Sequence, residues 1–137
     1  MLDKRNFYIN GKWIAPLKAN DFEVINPSNE EPCAIISLGS DADIDSAVKA
    51  AKDAFPSWSQ VSKEEKISLI EKLYEIYKSR WDEMADSISM EMGAPIDWAT
   101  TEQTSSGASH IKDFIKRLKD FEFESAFNNE SDNYIAY

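Results

Sequence analysis

Several residue types are scarce in this 137-residue chain, and each scarcity excludes something. Cys33 is the only cysteine, so no internal disulfide can form, which suits a reducing cytoplasm. His110 is the only imidazole. Glycine occurs only at positions 11, 39, 93 and 107, too far apart for a dinucleotide-binding fingerprint. No apolar run approaches the length of a spanning helix, and the first residues lack the apolar stretch of a secretory signal. Basic residues are also short: fifteen against twenty-five acids leave a net charge of −10. That charge repels phosphate backbones and anionic lipid, so neither nucleic acid nor membrane is expected as a partner. The 42% apolar and 29% charged composition is that of an ordinary globular domain, or a piece of one.

The first forty residues read as strands and turns. Phe7-Tyr8-Ile9 and Lys12-Trp13-Ile14 flank Asn10-Gly11, the pair best suited to positive φ in a tight hairpin. Asp21 to Ile25 alternates, with Phe22 and Val24 on one face, and Asn26-Pro27-Ser28-Asn29 supplies turn chemistry. Cys33 to Leu38 is a short apolar run that reads as a strand buried on at least one side. The local expectation is an antiparallel meander.

From Ser40 the period becomes helical. Ser40 to Asp43 has capping-box spacing, and Ile44, Val48, Ala51 and Phe55 follow on one stripe, with Pro56 expected to stop the helix. Ser62 to Glu65 is a second box. After it Ile67, Ile70, Tyr74, Tyr77, Trp81, Met84 and Ile88 hold a stripe, with a possible break at Ser79 to Asp82. Gly93 has the position of a C′ glycine. The last helix is expected from Pro95 to about Phe121, with Ile111, Phe114, Ile115 and Leu118 as its core stripe. Asn128 to Asp132 reads as a polar connector, and Asn133 to Tyr137 as the start of a strand that needs a sheet to join. Trp58, Trp81 and Trp98 lie on wide apolar helix faces that so small a meander cannot cover, which points to an interface.

The chemistry on offer is thin. Cys33 and His110 fall in a strand and a helix with nothing at short range to pair them. Asp41, Asp43 and Asp45 imitate an alternating calcium loop, but its glycine and twelfth-position glutamate are missing; acids favoured by a helix N-terminus explain them better. Glu64, Glu65, Glu71 and Glu75 interleave with Lys72 and Lys78 as a solvated face. Ser105 to Ser109 places five small residues mid-helix. Either a neighbouring helix packs closely there, or the face is kept low so that a cavity or channel can pass; a helical glycine costs up to about 1 kcal/mol relative to alanine, so some reason is needed.

Taken in order, Phe7 to Trp13, Val24 to Pro32, Asp43 to Ala51 with Ala54 to Trp58, and Ser87 to Pro95 resemble the opening of the NAD(P)-dependent aldehyde dehydrogenase superfamily. They match its aromatic-Ile-Asn-Gly-x-Trp hairpin, its Asn-Pro turn, its Ala-Val-x-Ala-Ala helix and its Glu-x-Gly-Ala-Pro segment, collinear and at family spacing. The resemblance implies the N-terminal segment of such an enzyme: α+β in this stretch, antiparallel strands over 7–38 then helices over 41–121, forming part of the α/β cofactor-binding domain. Residues 1–132 would belong to that domain, and 133–137 would begin an oligomerisation strand.

The complete enzyme would oxidise an aldehyde to a carboxylic acid with NAD or NADP, through a cysteine nucleophile and a glutamate base that both lie beyond this stretch. Cys33 does not have the nucleophile's context. This chain alone is expected to be inactive and to bind no cofactor, its partners being the remainder of the same enzyme and further copies in a dimer or tetramer. By the same resemblance Gln103, Ser106, Gly107 and His110 would border the substrate tunnel. Val24, Ile25 and Glu91 would contribute to a structural monovalent cation site whose third contributor lies past Tyr137. The contrasting expectation is an autonomous α+β interaction module without catalysis.

Overall fold

The structure is a computed structural model; it describes residues 1–123 and, beyond them, the backbone of the two strands Ser125–Phe127 and Tyr134–Ala136. The elements run β1 (Leu2–Asp3), β2 (Phe7–Ile9), β3 (Lys12–Ile14), β4 (Asp21–Asn26), β5 (Glu31–Ser37), α1 (Asp41–Ser59), α2 (Lys63–Ser79), α3 (Trp81–Met92), α4 (Ile96–Trp98), a π-helical segment (Ala99–Gln103), α5 (Thr104–Asp120), β6 (Ser125–Phe127) and β7 (Tyr134–Ala136).

The β2–β3 hairpin forms as its sequence requires. Asn10 and Gly11 both take positive φ, 52° and 74°, the combination whose twist matches paired strands. It stands apart, however, as its own two-stranded sheet. β4 and β5 pair antiparallel, but the third strand of their sheet is β1, which runs parallel to β5 with Leu2 opposite Ala34. The single antiparallel meander is therefore corrected to a hairpin beside a mixed sheet of order β1-β5-β4. A two-residue strand has no periodicity to detect, and a parallel partner thirty residues away leaves no local signal. Arg5 ties this edge together, reaching Asp3 at 2.6 Å and Asp21 at 3.2 Å and holding the Asp3 carboxyl down to about 2.

Ser40 caps α1 with both halves of its box. The Asp43 amide donates to Ser40 Oγ at 3.4 Å, and the Ser40 amide donates to the Asp43 carboxylate at 2.9 Å. The Leu17 amide donates to the other Asp43 oxygen at 2.9 Å, so the cap also fastens the β3–β4 loop to α1. Pro56 does not stop this helix, which runs on to Ser59. Proline removes one amide yet holds φ near the helical value, and the last turn closes through the Gln60 and Val61 amides on the Ser57 and Trp58 carbonyls. At Ser62 only the first half of the second box forms, the Glu65 amide donating at 3.1 Å. The break after Ser79 is real, with Arg80 at φ −113° between α2 and α3, although the Ser79 hydroxyl donates back to Ile76 rather than capping α3.

Gly93 ends α3 in the left-handed region at φ 72°, its amide donating to Ser89 at 3.0 Å. Its open side faces the turn after β4: a Cβ at 93 would lie 2.7 Å from Pro27 Cγ. The buried apolar residues are mostly small, namely Ala34, Ala85, Ala94, Ala99 and Ala108 with Ile115 and Leu118, and Ala85, Ala94 and Ala99 cluster with Ile88 against them. The large side chains lie outside. Along α1, Ile44, Val48 and Phe55 are 57%, 49% and 64% exposed, so a helix capped and patterned for burial has its apolar stripe uncovered within these residues. Of the four residues expected as the core stripe of the last helix, Ile115 and Leu118 are buried, Ile111 is half-buried and Phe114 is exposed.

At the end of the chain, β7 does have a partner. It pairs antiparallel with β6, an element the sequence reading passed over, with Ala126 opposite Ile135. The polar connector of Asn128 to Asp132 lies outside the described residues, as do Asn133 and Tyr137 at the ends of the expected strand.

Candidate functional site

The long helix expected from Pro95 is not uniform. Ala99 and Thr104 are both completely buried, five residues apart. At 3.6 residues per turn that spacing separates two side chains by about 140°, so an unbroken α-helix would point them to different sides. The π-helical segment widens the turn between them and brings them to one side. Hydroxyls meet the carbonyls the wide turn loosens: Thr100 donates to Ile96 at 2.8 Å, Thr101 to Asp97 at 2.9 Å and Thr104 to Ala99 at 2.9 Å. The Trp81 indole of α3 donates to the Thr100 carbonyl at 3.0 Å, and the Tyr77 hydroxyl of α2 donates to the Thr104 carbonyl at 2.9 Å. Those two rings meet edge-on at 6.1 Å.

Gln103, Ser106, Gly107 and His110 follow on one helical stripe, and their surroundings differ. Ser106 and His110 are exposed, whereas Gln103 and Gly107 are half-buried. Gly107 faces α2: a Cβ there would lie 2.5 Å from the Tyr77 hydroxyl oxygen and 3.1 Å from its Cζ. Close helix packing thus accounts for this glycine. The Tyr77 hydrogen bond contributes about 1 kcal/mol, and a Cβ at 107 would add the cost of the 2.5 Å contact to its loss.

The α2–α5 packing that positions this stripe is closed at its far end by Lys63, which donates to the Lys119 and Phe121 carbonyls at 3.2 and 3.3 Å, where α5 runs out of amides. Lys119 reaches Glu71 at 3.3 Å. Concavities among the described residues lie elsewhere. One, of about 860 Å³, is lined by Asp3, Arg5, Trp13 and Asp21 among others. Another, of about 500 Å³, is an apolar groove of Trp58, Ile70, Phe114, Leu118, Phe121 and Phe123 rimmed by Lys66 and Arg117. Neither of these includes the four stripe residues.

The cation candidates come from two segments joined by the Gly93–Pro27 contact. The Val24 carbonyl accepts the Cys33 thiol at 3.2 Å, Ile25 follows a bulge in β4, and Glu91 is exposed. Among the described residues no three acidic, histidine or cysteine side chains converge. One engaged carbonyl and one solvated carboxylate do not by themselves make an oxygen shell for a hard cation. An anion cradle is likewise missing at the strand-to-helix turn of Gly39 and Ser40, because the Asp43 carboxylate already occupies it. Cys33 and His110 remain in a strand and a helix.

The sequence profile of the aldehyde dehydrogenase family matches residues 13–137. The chain belongs to that family. A 3-succinoylsemialdehyde-pyridine dehydrogenase of a Pseudomonas species is 40% identical over 127 residues, which are 92% of this chain and 27% of the relative. An aldehyde dehydrogenase from Bartonella henselae superposes with a TM-score of 0.92 at 51% identity, over 98% of this chain and 28% of that structure. A mutant aldehyde dehydrogenase C from Pseudomonas syringae, solved with NAD+ and octanal, gives 0.86 at 38% identity over 90% and 26%. The chain thus spans little more than a quarter of the length of these aldehyde dehydrogenases, and its α+β architecture is that part of the aldehyde dehydrogenase fold.

Proposed function

We propose that this chain is the N-terminal portion of a cytoplasmic NAD(P)-dependent dehydrogenase that oxidises an aldehyde to a carboxylic acid, and that its own part is scaffolding. The match along 98% of the chain to little more than a quarter of the Bartonella henselae enzyme carries this reading. The uncovered stripe of α1 and the exposed Trp13, Trp58 and Trp98 support it, because surfaces of this kind are buried against something in a finished enzyme. The partners in this reading are the rest of the same chain, then further copies through the strand at 133–137, with residues 1–132 packed in the cofactor domain. NAD or NADP would be held by residues outside this stretch. Among the described residues no helix is long and apolar enough to cross a membrane. Gln103, Ser106, Gly107 and His110 would face the aldehyde's path along α5.

Replacing Ser106 by tryptophan in the complete enzyme tests the last point. Reduced kcat/KM for long aldehydes relative to short ones is the expected outcome, and unchanged selectivity removes the tunnel wall. Reconstitution tests the whole: the 137-residue chain should neither reduce NAD nor bind it, while the complete chain oxidises aldehydes. Saturable NAD binding by the short chain would contradict the scaffold assignment.

A further inference from the structure

We infer that Tyr77 and Gly107 are a fitted pair that sets how α5 sits against α2, making Tyr77 a positioning residue for aldehyde size selection; this rests on the reading of the Gln103–His110 stripe as a tunnel wall. Tyr77 belongs to α2 and meets that stripe at its glycine. Its hydroxyl donates to the Thr104 carbonyl at 2.9 Å and occupies the space a Cβ at 107 would take, 2.5 Å from where that atom would stand. Its ring is steadied edge-on by Trp81, whose indole grips the Thr100 carbonyl at 3.0 Å. Two donors from α2 and α3 therefore hold backbone carbonyls inside and just after the π segment. Sliding α5 by one residue, about 1.5 Å, would present a side chain where only glycine fits. The exposed Ser106 and His110 are thereby held at a fixed height.

The test uses the complete enzyme with octanal and propanal, comparing kcat and KM for each. Gly107→Ala drives the Tyr77 hydroxyl off Thr104 and should change the octanal-to-propanal ratio of kcat/KM by about threefold to tenfold, mainly through KM for octanal. Tyr77→Phe removes the hydroxyl without adding bulk, so it reads the pair even if the alanine variant fails to fold, and should shift the ratio in part. The double variant should return toward the parent ratio, since the atom nearest the new methyl is gone. A parent-like ratio in both single variants overturns the inference, whatever happens to the melting temperature, and so does a double variant no closer to parent than Gly107→Ala. A shift from Ser106→Trp with none from Tyr77→Phe or Gly107→Ala refutes the pair and leaves the tunnel wall standing. No shift from Ser106→Trp removes both.

Discussion

Gly93→Ala is the sharpest probe of how the helices are joined to the sheet. Two separable costs arise. A side chain at φ 72° enters the left-handed region, at about 1–2 kcal/mol. The new methyl also lands 2.7 Å from Pro27 Cγ, in a ring that cannot swing aside as a flexible chain end would, and forcing such a contact costs typically about 1–3 kcal/mol. Together these destabilise by about 2–5 kcal/mol. Pro27→Ala deletes Cγ and leaves Cβ at an ordinary 3.5 Å, costing about 0.4–1 kcal/mol through a freer unfolded chain. The double variant should retain the backbone cost at 93 and the Pro27→Ala cost but lose the clash, so it should be more stable than the two single effects combined by about 1–3 kcal/mol. Urea denaturation of the 137-residue chain, followed by circular dichroism, measures all four proteins. Additivity within about 0.5 kcal/mol would refute the claim that this glycine serves the contact with the turn as well as the end of α3.

Other outcomes follow from the same contacts. Hydrogen bonding from the Ser40 hydroxyl, then from the Leu17 and Ser40 amides, holds the Asp43 carboxyl below its ordinary 3.8. A depressed value stabilises the fold above 3.8 and loses that contribution as pH falls through the folded value, so an acid titration of Asp43→Asn should show a shallower loss of stability below 3.8 than the parent. Thr104→Val keeps the shape but removes the buried donor to Ala99, and thermal melts should report a loss of about 1 kcal/mol. The 137-residue chain alone should enhance the fluorescence of a hydrophobic dye such as ANS, while the complete enzyme should not; equal enhancement would mean that the remainder does not cover these faces.

Features set by neighbouring residues were legible in the sequence. Asn10-Gly11 made its turn, Ser40 with Asp43 made its cap, and Gly93 ended its helix, because each needs only backbone conformation and groups a few residues away. Pro56 misled because proline removes one amide hydrogen bond and crowds the carbonyl four residues back, yet its fixed φ is helical, so α1 carries it at a cost and runs on to Ser59. The π segment left a faint mark, the threonines at 100, 101 and 104, but the burial of Ala99 and Thr104 that accompanies it is decided by tertiary packing. β1 was illegible for a similar reason, its parallel partner being far along the chain. The candidate stripe came from the family resemblance, and the glycine's need for a close neighbour was one of two readings left open. That the neighbour is Tyr77 depends on how α2 crosses α5, which no local pattern encodes.

The uncovered stripe of α1 has a consequence during synthesis. Translation proceeds at ~5–20 residues per second, so in a protein of the relatives' length this segment would wait on the order of tens of seconds before the bulk of the molecule emerged. Through that interval Ile44, Val48 and Phe55 would stand in water with their helix already capped. Ten surplus negative charges would repel neighbouring copies over that interval and so oppose association through the uncovered stripe.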